Sequence, residues 1–388
     1  MDTLTHGLAG ALIAKTGFSQ RIGKVATTVL VVSAVFPDSD VIVDLVGNEF
    51  LYLKYHRSLT HSFLGALFFS ALLAGIFYRF GTYKKYWNLY FLSLLGILSH
   101  IFLDLPTSFG TMIFFPFSDR RVAWDMIFII DLIFTGIIVT PQLVVWIYLN
   151  PSSRGGKSSL PLFSPFSSPF RRAGFVCFVF YLLTFSVTLF LSRLVHREVP
   201  WKVLLWVILL FTSLIVAPGI KGWIYRIDKT IPCRVGLIVL LFYMGLCWMN
   251  HWIALKKVED YIQKQGLQVV SYAAFPQPLS PFNWSGVIKT REASYQNWFN
   301  ILTPQMPEFS VFQDPPKNEY ITMAENLPVV QLFLWFARFP VITYQTLGST
   351  HIIEYFDLRF NSRLRRTPFV LEIIIGPNGE VIRQGFAN

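Results

Sequence analysis

The sequence predicts an α-helical polytopic membrane protein with about six to eight membrane segments, followed by a C-terminal α+β, mainly β, extramembrane domain. Three observations carry this. Of the 388 residues, 53% are hydrophobic and only 14% are charged, with a mean hydropathy of +0.50, far from a soluble enzyme. Six apolar segments approach the ~20 residues that a ~30 Å hydrocarbon core requires. From about residue 256 the pattern turns polar and strand-like.

Taken in order, the first elements are two weaker apolar segments at 3–20 and 25–46, read as an N-terminal hairpin. The irregular "VFPDSD" at its end is tolerable at membrane depth only under a cover of protein or water. "MDTLTHGLAGALIAKTG" lacks the basic start of a cleavable signal, so retention of this segment is expected. The strong segments follow at 62–80, 86–105, 126–149, 174–194, 201–219 and 235–255. A Ser/Pro/Gly-rich stretch, "NPSSRGGKSSLPLFSPFSSPFRR", separates them into an N-terminal module of residues 1–150, a linker of 151–173 and three further helices in 174–255. Beyond 256, "GLQVVSYAAF", "WSGVIKT", "VITYQTL", "HIIEYFDLRF" and "FVLEIII" are strand candidates. "LPVVQLFLWFARF" reads as a helix against them, and Asn378-Gly379 as a tight hairpin in which both residues take positive φ.

The net charge of +11 is concentrated in the membrane part, with 21 Lys and Arg against 11 Asp and Glu before residue 256 and 12 against 11 after it. If eight segments alternate, 14 of these cations fall on one side and 7 on the other, which makes the richer side cytoplasmic. The linker is then cytoplasmic and residues 256–388 extracytoplasmic. This distribution needs no nucleic-acid surface to explain it. Cys177, Cys233 and Cys247 lie in or beside apolar segments and suggest packing, with no disulfide framework or spaced zinc set.

Nine of the 11 acids in the membrane part fall between Asp2 and Asp131, and four of the seven histidines lie in the first 100 residues. His100 and Asp104 are four apart, so a helix presents both from one face. Asp2 and His6, and Asp40 and Asp44, share that spacing. The alternating topology brings the N-terminal tip, Asp38 and Asp40, His56 and His61, the end of 86–105 and Asp125 to one membrane face. Each string alone is ordinary, since a lone interfacial His or Asp usually caps a helix or meets water. Crowded together the carboxylates would repel, and a divalent ion is the simplest compensation. Mixed imidazole and carboxylate suits zinc, with manganese or iron as alternatives, better than calcium. Such an ion makes bound water a nucleophile near neutral pH, pointing to hydrolysis. Arg57, Arg120 and Arg121 either hold an anionic substrate group or act as interfacial anchors and carboxylate partners. His196, His251 and His351 sit in no comparable cluster and read as packing residues.

The strings "DTLTHGLAG", "FPDSD", "HRSLTHS", "LSHIFLDLPTSFGT" and "FPFSDRRVAWDMIFIIDL", in this order over about residues 1–135, resemble the successive motifs of the YdjM-like membrane-bound metal-dependent hydrolases, also described as LexA-binding inner-membrane hydrolases. "PLSPFNWSGV", "ARFPV" and "DLRF" resemble the extracytoplasmic extension of longer members. The resemblance implies a multi-pass protein of a bacterial inner membrane that is a metal-dependent hydrolase; the residues' own chemistry adds the expectation of an anionic or lipid-linked substrate among membrane lipids. The resemblance also implies a metal site drawn from His6, Asp38, Asp40, His56, His61, His100 and Asp104, with Asp125 and Arg120 taking part. The combined reading assigns His6, Asp40, His56, His61, His100 and Asp104 to the metal, and Asp38, Asp125, Arg57 and Arg120 to catalysis. A more distant similarity of the His-x3-acid pair to zinc-dependent phospholipase C and nuclease folds implies a phosphoester. Two rivals use the same residues: a metal or proton transporter, and a non-catalytic sensor or scaffold.

Overall fold

A computed structural model describes residues 1–42, 49–149, 168–195, 201–304, 308–361 and 369–387. Asp44, His196 and most of the expected linker lie outside them. The chain divides into two compact units: residues 1–6, 32–131 and 244–388 form the first, and 7–31 with 132–243 the second.

The first helices are α1, Thr3–Ile13, and α2, Lys24–Val35. Helix α1 runs on through a π-helical turn, Ala14–Phe18, and a last turn, Ser19–Ile22, broken at Gly17 with φ of 151°. Helix α2 alone reaches about 18 Å at 1.5 Å per residue, short of a bilayer core. A 3-10 turn, Phe36–Val41, ends α2 and carries "PDSD". Helix α3 is Glu49–Tyr55, and a second 3-10 turn, Leu59–His61, leads into α4, Phe63–Phe80. Ser62 caps α4 by accepting from the Gly65 N–H at 2.9 Å. Helix α5, Tyr86–Asp104, returns beside it. Ala66, Leu73, Ile97 and Ile101 are buried between them, while Phe68, Phe91 and Trp87 face outward. An apolar outer face on such a hairpin is what lipid contact requires.

The expected segment 126–149 begins late. Residues 105–127 fold back on the end of α5, with Trp124 N–H donating to Leu105 O and Met126 N–H to Pro106 O, both at 2.8 Å. Asp125 in this return has φ of 54°, and regular helix starts only at α6, Leu132–Val144.

In the second unit α6 continues through Leu149 and packs with α7, Pro169–Val195, and α8, Trp201–Ile220, around Ile147, Tyr148, Val176 and Ile215. Tyr148 Oη donates to Ile215 O at 2.7 Å. Helix α9, Ile231–Gln265, leads to the C-terminal domain. Among the described residues, five helical segments are long and apolar enough to cross a membrane: 63–80, 86–104, 132–149, 169–189 and 231–265. Leu204–Ile220 is apolar but shorter. Cys177, Cys233 and Cys247 are all buried and form no disulfide.

The C-terminal domain contains two four-stranded antiparallel meanders. The first is β1 Val269–Pro276, β2 Asn283–Thr290, β3 Ala293–Asn300 and β4 Ser310–Gln313. Then come α10 Glu319–Glu325 and α11 Pro328–Phe336. The second sheet is β5 Pro340–Leu347, β6 Thr350–Asp357, β7 Leu371–Ile375 and β8 Val381–Phe386. The end of α9 lies on the first sheet so closely that a Cβ at Gly286 would stand 2.7 Å from Val258 Cγ2, the close approach for which a strand glycine is suited. Helices α10 and α11 cover the second sheet, and Leu53 and Phe109 join Phe333, Phe336, Ile353 and Ile373 in that core. The β7–β8 connection is residues 376–380 and not a two-residue turn. Gly379 takes φ of 83°, while Asn378 is not among the residues with positive φ.

Candidate metal centre

Five side chains from four elements gather in the first unit, as two triads that share His100: His6, His100 and Asp104, and Asp38, His61 and His100, with donor atoms in each within 4.8 Å of one another. His6 comes from α1, Asp38 from the 3-10 turn after α2, His61 from the turn before α4, and His100 and Asp104 from the last turn of α5. His6, His61, His100 and Asp104 have 0% exposure. His61 Nε2 and His100 Nε2 are 3.0 Å apart. Each lies 3.4 Å from Asp104 Oδ2, and Asp38 Oδ1 is 3.4 Å from His100 Nε2 and 3.8 Å from His61 Nε2. Bonds of about 2.0–2.1 Å in a tetrahedral shell give ligand-to-ligand edges of about 3.3 Å. The measured separations surround that length.

Hydrogen bonds on the far side of two rings set their orientation. His100 Nδ1 lies 2.7 Å from Ala34 O, a partner that only an N–H can satisfy, so the neutral ring has a lone pair on the inward Nε2. His61 Nδ1 meets Thr60 Oγ1 at 3.0 Å, whose hydroxyl donates to Asp40 Oδ2 at 3.2 Å, and that carboxylate oxygen itself lies 3.3 Å from the ring nitrogen. A carboxylate behind a histidine in this way orients metal ligands. His6 stacks on His100 with centroids 3.6 Å apart, and its Nε2 is 3.3 Å from Asp104 Oδ1. Both His6 nitrogens and Asp104 Oδ2 are buried without a hydrogen-bond partner among the described residues. Buried polar atoms rarely stay unmet. With their donor chemistry, these residues fit a divalent ion.

The electrostatics agree. Burial favours the neutral form of Asp38 and Asp40, yet the imidazoles of His61 and His100 beside Asp38 and of His56 and His61 beside Asp40 outweigh it and depress both carboxyls. Burial would lower His61, but the carboxylates of Asp104, Asp38 and Asp40 raise it to about 10. The cluster demands positive charge at its middle. Arg57 supplies part of it, with Nη2 3.0 Å from Asp104 Oδ1, and the Met1 amino group also donates to that oxygen.

The expected site is thus rearranged. Asp38, expected in catalysis, joins the inner set. Asp40 and His56, expected as ligands, stand one layer out, with His56 Nδ1 on Asp40 Oδ1 at 2.9 Å. A 3-10 turn explains the exchange: at about 120° per residue, positions two apart point in different directions. Arg57, expected in catalysis, is turned into the fold towards Asp104. It is 1% exposed, has φ of 61°, and its N–H and Nη1 donate to Asp40 Oδ2 and Thr107 Oγ1, both at 2.9 Å. A left-handed arginine is costly backbone, here fixed by contacts at both ends. Asp125 leaves the cluster to pair with Arg338 of the C-terminal domain at 2.8 Å, because its positive φ turns it that way. Arg120 is exposed, and its backbone N–H donates to Ser118 Oγ at 3.2 Å. Its neighbour Arg121 instead turns inward, donating to Leu53 O at 2.7 Å and His56 O at 3.1 Å.

Sequence reasoning passed over Thr3, which donates to Asp38 Oδ2 at 2.6 Å, and Thr60, which donates to Asp40 Oδ2 at 3.2 Å. A threonine three residues before His6 and one immediately before His61 were the available signal. Arg338 and Arg359 were also missed, although "ARFPV" and "DLRF" contain them.

The family model described as YdjM inner membrane protein matches residues 1–159. The Bacillus subtilis (strain 168) protein YfhP, described as uncharacterized, is 25% identical over 264 residues, covering 66% of this chain and 71% of its own. No solved structure matches the chain. With five apolar helices of spanning length among the described residues, the family match indicates a membrane protein.

Proposed function

Starting from residues 1–159 as a YdjM-like membrane domain, we propose that this chain is a membrane-bound hydrolase dependent on a divalent metal, zinc by its donor set, acting on a phosphoester or lipid-linked substrate at the extracytoplasmic face. The observation that supports it is that His61 Nε2 and His100 Nε2 lie 3.0 Å apart, each 3.4 Å from Asp104 Oδ2, with Asp38 Oδ1 3.8 and 3.4 Å from them. When bound, the ion supplies a water of lowered pKa and polarises the scissile bond.

The chain's own residues do the rest. His61, His100, Asp38 and Asp104 hold the ion, with His6 beside them as a further donor. Asp40 keeps the His61 ring turned inward and raises its basicity. Arg57 holds Asp104 in place and offsets its charge. The same residues would bind a metal in a sensor or transporter, so activity decides between these readings. The test is metal analysis of detergent-purified protein with a panel of phosphoesters and carboxylic esters. The reading expects about one equivalent of metal and metal-dependent turnover, both lost in His100→Ala. Metal retained with no ester cleaved would overturn it.

A further inference from the structure

Beside the metal centre, in the same unit, is a cavity of about 260 Å³. Its apolar wall is Tyr55, Met112, Phe115, Leu332 and Trp335, and Lys54 and Asp119 are its two charged lining residues. The chain joins it to the centre twice. Tyr55 immediately precedes His56 and Arg57, and Met112 N–H donates to Arg57 O at 2.9 Å. Phe63 opens the apolar α4 and meets Phe114 edge-on at 6.1 Å. Phe114 and Phe117 are 52% and 86% exposed. Exposed apolar rings beside the start of a spanning helix suit contact with lipid.

Charge is placed to match. Arg121 lies 5.5 Å from the Trp335 ring centroid, behind the wall. Its guanidinium donates to backbone carbonyls of Leu53, His56 and Gly110 and meets no carboxylate directly among the described residues. Burial and the neighbouring Arg359 and Arg57 lower it to about 9. Lys54 and Asp119 are exposed charges of opposite sign on the rim, form no ion pair with each other among the described residues, and Lys54 Nζ lies 5.4 Å over the Tyr55 ring of the apolar wall.

We propose that this cavity is a phospholipid subsite for a zwitterionic headgroup: an acyl segment against the apolar wall, phosphate at Lys54 and ammonium at Asp119. As a binding site it stands alone. As the place that presents substrate, it rests on the hydrolase reading above.

The experiment is a native mass-spectrometric titration of the full-length protein in detergent with phosphatidylethanolamine or phosphatidylglycerol of the same acyl chains. Wild type should prefer the ethanolamine lipid. Lys54→Gln should weaken both by about tenfold, the scale of one charge-assisted contact. Asp119→Asn should remove the preference without weakening the glycerol lipid. Both positions are exposed, and unchanged metal content and melting temperature would confirm folding. Equal binding of both lipids by wild type, or undiminished binding in Lys54→Gln, overturns the proposal. An ethanolamine lipid that binds with the expected variant pattern but is not cleaved by metal-loaded protein keeps the subsite and counts against the hydrolase reading.

Discussion

Two buried Asp–Arg pairs in the first unit look alike by burial and differ in what they leave unmet. Asp357 is 2% exposed and Arg359 5%. Asp357 Oδ1 accepts from the Phe339 and Arg359 N–H groups, and Oδ2 from Arg338 N–H, Arg359 Nε and Arg359 Nη2. Arg359 also caps the Ser108 and Phe109 carbonyls at 3.1 and 3.3 Å. Its valences are filled. Asp104 is 0% exposed and has Arg57 on Oδ1, but its Oδ2 faces His61 and His100 without a hydrogen bond. Burial and ion pairing do not by themselves mark a site. Leftover coordination does.

Breaking the two pairs should separate their roles. The largest effects come from the carboxylates. Asp357→Ala strands a buried guanidinium and should cost about 3–5 kcal/mol of stability, measured by denaturant unfolding in detergent, with metal content per folded molecule unchanged. Asp104→Asn should remove the metal. If Asp357→Ala removes it while Asp104→Asn keeps it, the comparison fails.

The surrounding layer should matter less. Asp40→Asn leaves the inner donors in place but loosens His61, and metal affinity should fall about 10–100-fold, measured by competition with a chromophoric chelator. An effect as large as that of His100→Ala would instead make Asp40 a ligand.

A pH series sharpens the contrast further. His61 is raised from 6.5 to about 10 in the metal-free fold. Its contribution to metal-free stability is therefore full below about pH 6.5 and lost as pH rises towards 10. Metal must displace that proton, so metal affinity should run the other way and increase over the same window. Melting temperatures with and without metal, compared with His61→Ala, give both slopes; parallel slopes would contradict the assignment.

The smallest effect concerns Asp125. Its partner Arg338 is 38% exposed, but Asp125 is 5% exposed and both its oxygens accept from Arg338 Nη1. Arg338→Ala therefore leaves a buried carboxylate unpaired and should cost about 1–3 kcal/mol, less than Asp357→Ala because solvent reaches one side of the pair. Metal content should stay constant. Loss of metal in that variant would return Asp125 to the centre.

Much of this was legible in the sequence because helical spacing is a strong constraint. His100 and Asp104 share a face at i, i+4, and the spanning helices 63–80 and 86–104 follow from apolar length. The ordering of Asp38 inside and Asp40 outside was not legible. It depends on a 3-10 turn, whose short period is not visible in "PDSD". Asp125 misled for a related reason: its left-handed backbone, invisible in "AWDM", turns it towards an arginine more than 200 residues away in sequence. Among strands, "FVLEIII" was readable from β-branched density, whereas β3, "ASYQNWFN", carries too many polar residues to announce itself. Gln296 and Asn297 are nevertheless buried there, and Gln296 is held by hydrogen bonds to Ser285, Leu358 and Asn361.

The most direct measurement is metal content with X-ray absorption at the metal edge on purified full-length protein, alongside His100→Ala. The account predicts one ion in a shell of nitrogen and oxygen only, with imidazole scattering, absent from the variant. A sulfur-containing shell, or a metal content that His100→Ala leaves unchanged, would contradict it.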